Sequence, residues 1–208
     1  MKVALVNGSP HENGCTYTAL NVIGEALKGE GIDYEIFWIG GKPISGCLAC
    51  KGCAKLGKCV IDDSVNEFAK KAEEFDGFIF GSPVHYAAMG GQIASFMDRL
   101  FFSSKKSGNY YLKPAAGIAV ARRAGTTSTV DQMNKYFTLA EMPVISSRYW
   151  NVVYGASPSD ILKDEEGLQI MRVLGKNMSY FLKCIEVGKN AGVELPKAEA
   201  PVSTNFIK

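Results

Sequence analysis

Residues 3–16 read VALVNGSPHENGCT, and this stretch decides the fold. Val3-Ala4-Leu5-Val6 is a short unbroken apolar run stopped by Asn7-Gly8, the pattern of a strand covered on both faces. Helical spacing takes over near Thr16, where Leu20, Ile23 and Leu27 share one face of a segment that Gly29 and Gly31 end. The loop between them offers backbone N–H groups, the hydroxyls of Ser9, Thr16 and Thr18, and the positive end of a helix dipole. That combination suits phosphate. An ordinary strand-to-helix turn also uses Gly, Ser, Pro and Asn, so the loop alone leaves both readings open. Gly14 is followed by Cys15 rather than Lys, and no G-x-G-x-x-G occurs in the chain, which argues against a nucleoside triphosphatase or a dinucleotide-binding Rossmann domain. With no Lys or Arg between Gly8 and Thr16, the loop suits one phosphate held by hydrogen bonds.

The tripeptide Gly8-Ser9-Pro10 recurs as Gly81-Ser82-Pro83, again directly after an apolar strand, Phe78-Ile79-Phe80. If the units run in order, the two loops end strands one and three, which flank the ligand-binding switch point of a sheet ordered 2-1-3-4-5. The remaining chain keeps the alternation. Tyr34 to Ile39 reads as strand two, and the capping-box spacing of Ser64 and Glu67 opens a helix with Val65, Phe68, Ala69 and Ala72 inward. A third helix runs from about Gly91 to Phe102, with Ile93, Phe96, Met97, Leu100 and Phe101 on its core face. Ala115 to Ala121 supplies strand four, followed by a third loop at the same sheet edge, Arg122 to Thr127. Val130, Met133, Phe137 and Ala140 line a fourth helix, and Val144-Ile145 begins strand five after Pro143. The last helix, about Asp164 to Lys189, turns Met171, Leu174, Met178, Leu182 and Ile185 inward. The expected fold is α/β, a doubly wound five-stranded parallel sheet of order 2-1-3-4-5 with helices on both faces. It spans residues 1–190 with a cysteine-rich loop at 44–62, and 191–208 form a tail. A phospho-acceptor domain would need acidic residues after strand one and an Asp after strand three; Asn7-Gly8-Ser9 and Gly81-Ser82-Pro83 stand there instead.

Lys and Arg total 23 against 21 Asp and Glu, a net charge of +2 that calls for neither nucleic acid nor an anionic membrane. Met1-Lys2 leads straight into strand one and no apolar stretch approaches spanning length, so a cytoplasmic location is expected. Four of the six cysteines are spaced Cys47-x2-Cys50-x2-Cys53-x5-Cys59. Four thiolates this close suit a cubane cluster or tetrahedral zinc, with free thiols or a redox disulfide also open. Cys15 sits where a helix N-terminus would lower a thiol pKa, and a neighbouring phosphate would push it the other way. A hydrogen-bonding or packing role is expected of it, and a structural one of Cys184.

The segments VNGSPHENGCT, FGSPVHYAAMGGQIASFMDR and AVARRAGTT resemble the FMN-binding loops of the flavodoxin-like NADPH-dependent FMN reductases, and the resemblance runs in order over almost the whole chain. It implies that Ser9, His11, Gly14, Cys15 and Thr16 surround the FMN phosphate. It further implies that Pro83, Val84, His85 and Tyr86 contact the isoalloxazine, with Arg122 to Thr126, Gly125 among them, at the rim. Relatives often carry Arg at the position of His11, Asn at Cys15 and an aromatic at His85. The cysteine loop resembles the iron–sulfur flavoprotein branch, which holds a [4Fe–4S] cluster on a compact motif and implies Cys47, Cys50, Cys53 and Cys59 as its ligands.

The implied activity is that of an FMN-dependent oxidoreductase. NAD(P)H delivers hydride to the flavin, and electrons pass to a quinone, free flavin, nitro or azo compound, or protein acceptor. The cofactor carries the hard chemistry, so no side-chain acid or base is required. The alternative is an electron carrier using FMN and a [4Fe–4S] cluster with ferredoxin as donor. A zinc-stapled, non-catalytic binding module ranks below both, since it leaves the duplicated Gly-Ser-Pro loops without a purpose. A homodimer or homotetramer is expected, because the apolar loop Ala87 to Gly91 needs cover beside a flavin.

Overall fold

Successive side chains of strand β1 (Lys2–Asn7) enter two different hydrophobic cores, Val3 and Leu5 one and Ala4 and Val6 the other. The strand is therefore buried on both faces, as its unbroken apolar run requires. The computed structural model describes residues 1–197, 199–200 and 202–206. Helix α1 (Cys15–Gly29) returns the chain to β2 (Asp33–Trp38), parallel to β1. The cysteine loop follows with a short helix α2 (Cys53–Leu56), then α3 (Ser64–Lys71) and β3 (Gly77–His85). A two-residue strand β4 (Ala88–Met89) precedes α4 (Gly91–Ser103). The chain is completed by β5 (Ala115–Ala121), α5 (Thr126–Leu139), β6 (Val152–Tyr154), α6 (Pro158–Ile161) and α7 (Glu165–Asn190).

The sheet has six strands in the order β2-β1-β3-β5-β6, with β4 paired off this path to β3. The expected five-strand count is thus corrected by one. Strand β3 outruns its neighbours: pairing with β1 stops at Gly81 and with β5 at Pro83, and the overhanging Val84 and His85 pair antiparallel with β4. The edge strand is corrected too. Val144 makes only an isolated bridge to Ala115, the chain then leaves the sheet, and it rejoins at Val152 opposite Ala119.

The two cores differ in kind. Aliphatic side chains of α1 and α7 fill one, with Leu20, Ile23, Met171 and Leu174 fully buried. A phenylalanine cluster fills the other, where the Phe68 ring lies 5.0 Å from Phe37 and 5.8 Å from Phe96. Each such ring removed from water contributes about 1.5–3 kcal/mol. Helix α7 lies inward as expected down to Leu182 but not at Ile185, which is 43% exposed. It packs on α1, and Lys183 reaches Glu30 just past the end of that helix, so the last turns overhang. Cys184, expected to be structural, is exposed on this overhang. Helix α3 begins one residue earlier than its capping box suggests: Asp63, not Ser64, is the N-cap, accepting from Val65 N–H. In the tail, Tyr111 donates to the Pro196 carbonyl at 3.5 Å, and residues 198, 201, 207 and 208 lie outside the described residues.

At the far side of the sheet Glu35 accepts from Lys2 at 2.7 Å and from Lys71. Those two bonds hold its carboxyl below the ordinary value of 4.5 against the opposing effect of burial. A depressed folded-state value contributes stability that is complete above the unfolded value and lost as pH falls through the folded one. Glu35→Gln should therefore lower the melting temperature at pH 7, with the gap to wild type closing below about pH 4.5. A gap that persists in acid would mean that packing, not charge, is what the substitution removes.

Candidate functional site

Three loops leave the sheet at the carboxyl ends of adjacent strands. Loop 1 (residues 8–14) follows β1, loop 2 (residues 84–90) carries the β3–β4 hairpin, and loop 3 (residues 122–125) follows β5. Loop 1 is stitched to the sheet and to itself. Gly8 N–H donates to the Gly81 carbonyl at 2.9 Å, and Asn7 spans the turn by accepting from Ser9 N–H at 3.1 Å and donating to the Glu12 carbonyl at 2.9 Å. Ser9 Oγ accepts from His11 N–H at 3.1 Å. The N-cap of α1 is Gly14, so no side chain occupies the first-turn amides of the helix. Those amides and the helix dipole converge on the loop, which meets the demand of an anion site. Ser9 and Thr16 are buried beneath it, while His11 is exposed.

A cleft of about 560 Å³ opens here, lined by His11, Gly14, Cys15, Trp38, Ala156 and Pro158 among others. The last three were not singled out from the sequence. Trp38 ends β2 in register with Asn7 and donates from its indole N–H to the Ser9 carbonyl at 2.9 Å; its place at a strand end beside loop 1 was the available signal. Of the two opposing influences on the Cys15 thiol, the lowering one does not prevail. Burial pushes that thiol up, and the Asp160 carboxylate adds to the rise against a backbone hydrogen bond that lowers it.

Loop 2 turns through Tyr86 and Ala87, both with positive φ (51° and 58°), in a two-residue hairpin where Asn-Gly is the unstrained choice. Helix α5 holds it there: Ser128 donates to the Ala87 carbonyl, and Gln132 accepts from Met89 N–H at 2.9 Å. Pro83 and Val84 are half-buried, but His85 is exposed and Tyr86 stands fully in solvent at the hairpin tip. Loop 3 closes against this hairpin at Gly125, which has φ 91° and where a Cβ would lie 2.6 Å from Ala87 Cα and 2.9 Å from Val84 Cγ1. Only glycine meets both demands. Arg122 and Arg123 are exposed beside it. The structure thus ties loop 1 to β3 at Gly8 and Gly81, and brings loops 2 and 3 together at Ala87 and Gly125.

The cysteine loop lies over α4. Gly46 approaches Ser95, Gln92 donates to the Lys42 carbonyl at 2.9 Å, and Arg99 reaches into the loop. Cys47, Cys50, Cys53 and Cys59 all line one small crevice of about 20 Å³ together with Arg99 and Phe102. Cys47 and Cys50 are exposed, and Cys53 and Cys59 half-buried. Among the described residues no three His, Cys, Asp or Glu side chains are drawn to a common metal-binding centre. In donor chemistry and in sharing one wall, the four thiols fit an iron–sulfur cluster or zinc. Asp98 and Arg99 do not pair with each other. Asp98 accepts from Tyr136 at 2.5 Å, and Arg99 takes Asp63.

A doubly wound sheet with three ligand-ready loops on adjacent strand ends defines a flavodoxin-like protein. The family model for NADPH-dependent FMN reductase matches residues 1–157, and the chain belongs to that family. An iron-sulfur flavoprotein of Methanocaldococcus jannaschii is 33% identical over 195 residues, covering 89% of this chain and 100% of the relative, which places the chain in the iron–sulfur flavoprotein branch. Among solved structures, a flavodoxin from the domain Archaea superimposes with a TM-score of 0.58 at 16% identity, covering 88% of this chain and 99% of the other. The NAD(P)H:(acceptor) oxidoreductase FerB of Paracoccus denitrificans does so with a TM-score of 0.64 at 16% identity, covering 88% and 97%. At these identities the two likenesses show the fold. No helix among the described residues is long and apolar enough to cross a membrane.

Proposed function

We propose that this chain is an oxidoreductase that holds FMN across the ends of β1, β3 and β5, holds a [4Fe–4S] cluster on Cys47, Cys50, Cys53 and Cys59, and exchanges electrons with a ferredoxin-type protein. The observation that carries this reading is the joining of the two candidate sites by α4, whose first residue leaves loop 2 and whose Arg99 meets the cysteine loop. Eight residues of helix separate those points, about 12 Å along its axis. When bound, FMN supplies the one- and two-electron chemistry and the cluster supplies one-electron transfer.

The residues have the remaining tasks. Ser9, His11, Gly14, Cys15 and Thr16 surround the phosphate, with the α1 amides as its main donors. Pro83, Val84, His85 and Tyr86 contact the flavin ring, and Gly125 lets loop 3 approach while Arg122 stands at the rim. The exposure of Cys47 and Cys50 leaves that edge open to a protein partner. Exposed Tyr86, Leu139, Tyr149 and Trp150 support a homodimer or homotetramer that covers the flavin edge.

A second reading rests on Arg122 and Arg123, which are exposed beside loop 3 and suited to the anionic groups of NAD(P)H, making reduced nicotinamide the direct donor to the flavin and a quinone, free flavin, nitro or azo compound the acceptor. Protein purified without oxygen should show flavin bands together with iron and acid-labile sulfide. It should be reduced rapidly by ferredoxin and slowly by NADPH or NADH. Flavin without iron and sulfide, combined with rapid reduction by NADPH, would replace the first reading with the second.

A further inference from the structure

Arg99 is 1% exposed, which for a permanently charged side chain demands a partner for nearly every donor. Nη1 and Nη2 fork onto the two oxygens of Asp63 at 2.6 and 2.9 Å. Nη2 also donates to the Ile61 carbonyl at 2.9 Å, and Nη1 to that of Ser45 at 3.4 Å. The remaining donor, Nε–H, points at Cys59 Sγ at 3.2 Å. An ion pair that did no more than anchor α4 to α3 would be complete with the two Nη groups. The fork fixes the guanidinium plane, and the fixed plane aims its last donor at sulfur.

Cys59 is also held from the other side. Asn66 accepts from Cys59 N–H at 3.0 Å and donates to its carbonyl at 2.9 Å and to that of Ile61 at 3.1 Å. For the other three cysteines of the loop no such side-chain contact exists among the described residues. A neutral thiol is a weak acceptor, whereas a cysteinate sulfur accepts a charged N–H strongly. Hydrogen bonds to the sulfurs and nearby charge are the protein's main levers on the potential of a cluster.

We infer that Arg99 is a positioning residue for the iron–sulfur site, fixing the Cys59 sulfur and raising the reduction potential of a cluster ligated through it by a charged N–H···S bond. This rests on the reading that the cysteine loop holds a cluster. The added electron is favoured by the cation and by the donor that withdraws charge from sulfur. Loss of the bond therefore moves the potential down. Asp63 opposes Arg99 electrostatically, so neutralising Asp63 moves it up.

Two variants of the full chain test this, with the cluster potential read by a mediated titration followed by electron paramagnetic resonance. Arg99→Lys keeps the charge but cannot fork onto Asp63 and reach sulfur together. Its cluster should become harder to reduce by roughly tenfold in the equilibrium constant, about 59 mV for one electron. Asp63→Asn retains a good helix N-cap. Its one side-chain oxygen and the Ile61 and Ser45 carbonyls still hold the two Nη groups, so Nε–H stays on sulfur while the opposing carboxylate charge is lost, and the potential should shift in the opposite direction. Opposite shifts with iron and flavin content retained support the role. Potentials that stay at the wild-type value, or that move in the same direction in both variants, overturn it while the cluster reading stands; the same holds for a variant with reduced iron whose remaining cluster titrates as wild type. Wild-type protein without iron and sulfide overturns the cluster reading itself and the role of Arg99 with it.

Discussion

Cys53→Ala is expected to strip iron and acid-labile sulfide from protein purified without oxygen while leaving the flavin in place. Cys53 opens α2 and lines the crevice between the exposed pair, Cys47 and Cys50, and the clamped Cys59. Four thiolates complete a cubane's protein ligation, and the described part of the loop brings no fifth His, Cys, Asp or Glu to the crevice wall. The loop backbone is also held by few contacts of its own: Ala49 and Lys51 both have positive φ (51° and 57°), and Leu48 and Leu56 are largely exposed. Ligation would supply the order that packing does not, so the variant should lose melting temperature along with its iron. Flavin binding should survive, because loop 1 and the hairpin take their hydrogen bonds from β1, β3 and α5 rather than from this loop. Retention of iron and sulfide would remove Cys53 from the ligand set. Loss of a spectroscopically silent metal, with wild type equally lacking sulfide, would make the site zinc.

How far the sequence carries depends on the range of the interaction. The β1 run and the stripe of α1 report burial on nearest faces, and these elements stand where their patterns put them. The duplicated Gly-Ser-Pro loops were readable for the same reason, since strand order turns two equal loops into neighbours. The hairpin was not readable, because Tyr86-Ala87 lacks the turn chemistry that ordinarily announces one; α5 imposes it from more than forty positions away. The edge strand was misplaced for a related reason. Val144-Ile145 has strand composition, but Ser146 and Ser147 are tied to α7, by Asn177 and through the Ile170 carbonyl respectively, and this pulls the chain off the sheet. Arg99 was legible only as a charge inside an apolar helical face. What it pairs with lies 36 residues earlier in Asp63 and 40 earlier in Cys59, and no local pattern specifies that.

Gly8→Ala should weaken FMN binding by roughly tenfold or more, the counterpart of about 1.4 kcal/mol. Gly8 lacks the positive φ that by itself demands glycine, so the effect is one of space. A Cβ there would sit 2.6 Å from Ile93 Cβ and 2.7 Å from the Gly81 carbonyl oxygen. Ile93 is fully buried in α4 and Gly81 is a β3 residue paired with β1, so neither neighbour can yield cheaply. Loop 1 must move instead, breaking the Gly8 to Gly81 hydrogen bond that sets it against β3. Overpacking of this kind costs about 1–3 kcal/mol of stability. The proposed phosphate donors, the hydroxyls of Ser9 and Thr16 and the α1 amides, would be displaced relative to the ring-contacting residues on β3. Gly29→Ala is the control, since a Cβ at this helix end meets nothing within 4 Å and should leave FMN affinity unchanged. Flavin fluorescence titration of the two apoproteins reads the difference directly. Equal FMN affinity in Gly8→Ala and wild type, with the melting temperature lowered as expected, would show that the flavin phosphate does not depend on how loop 1 is seated.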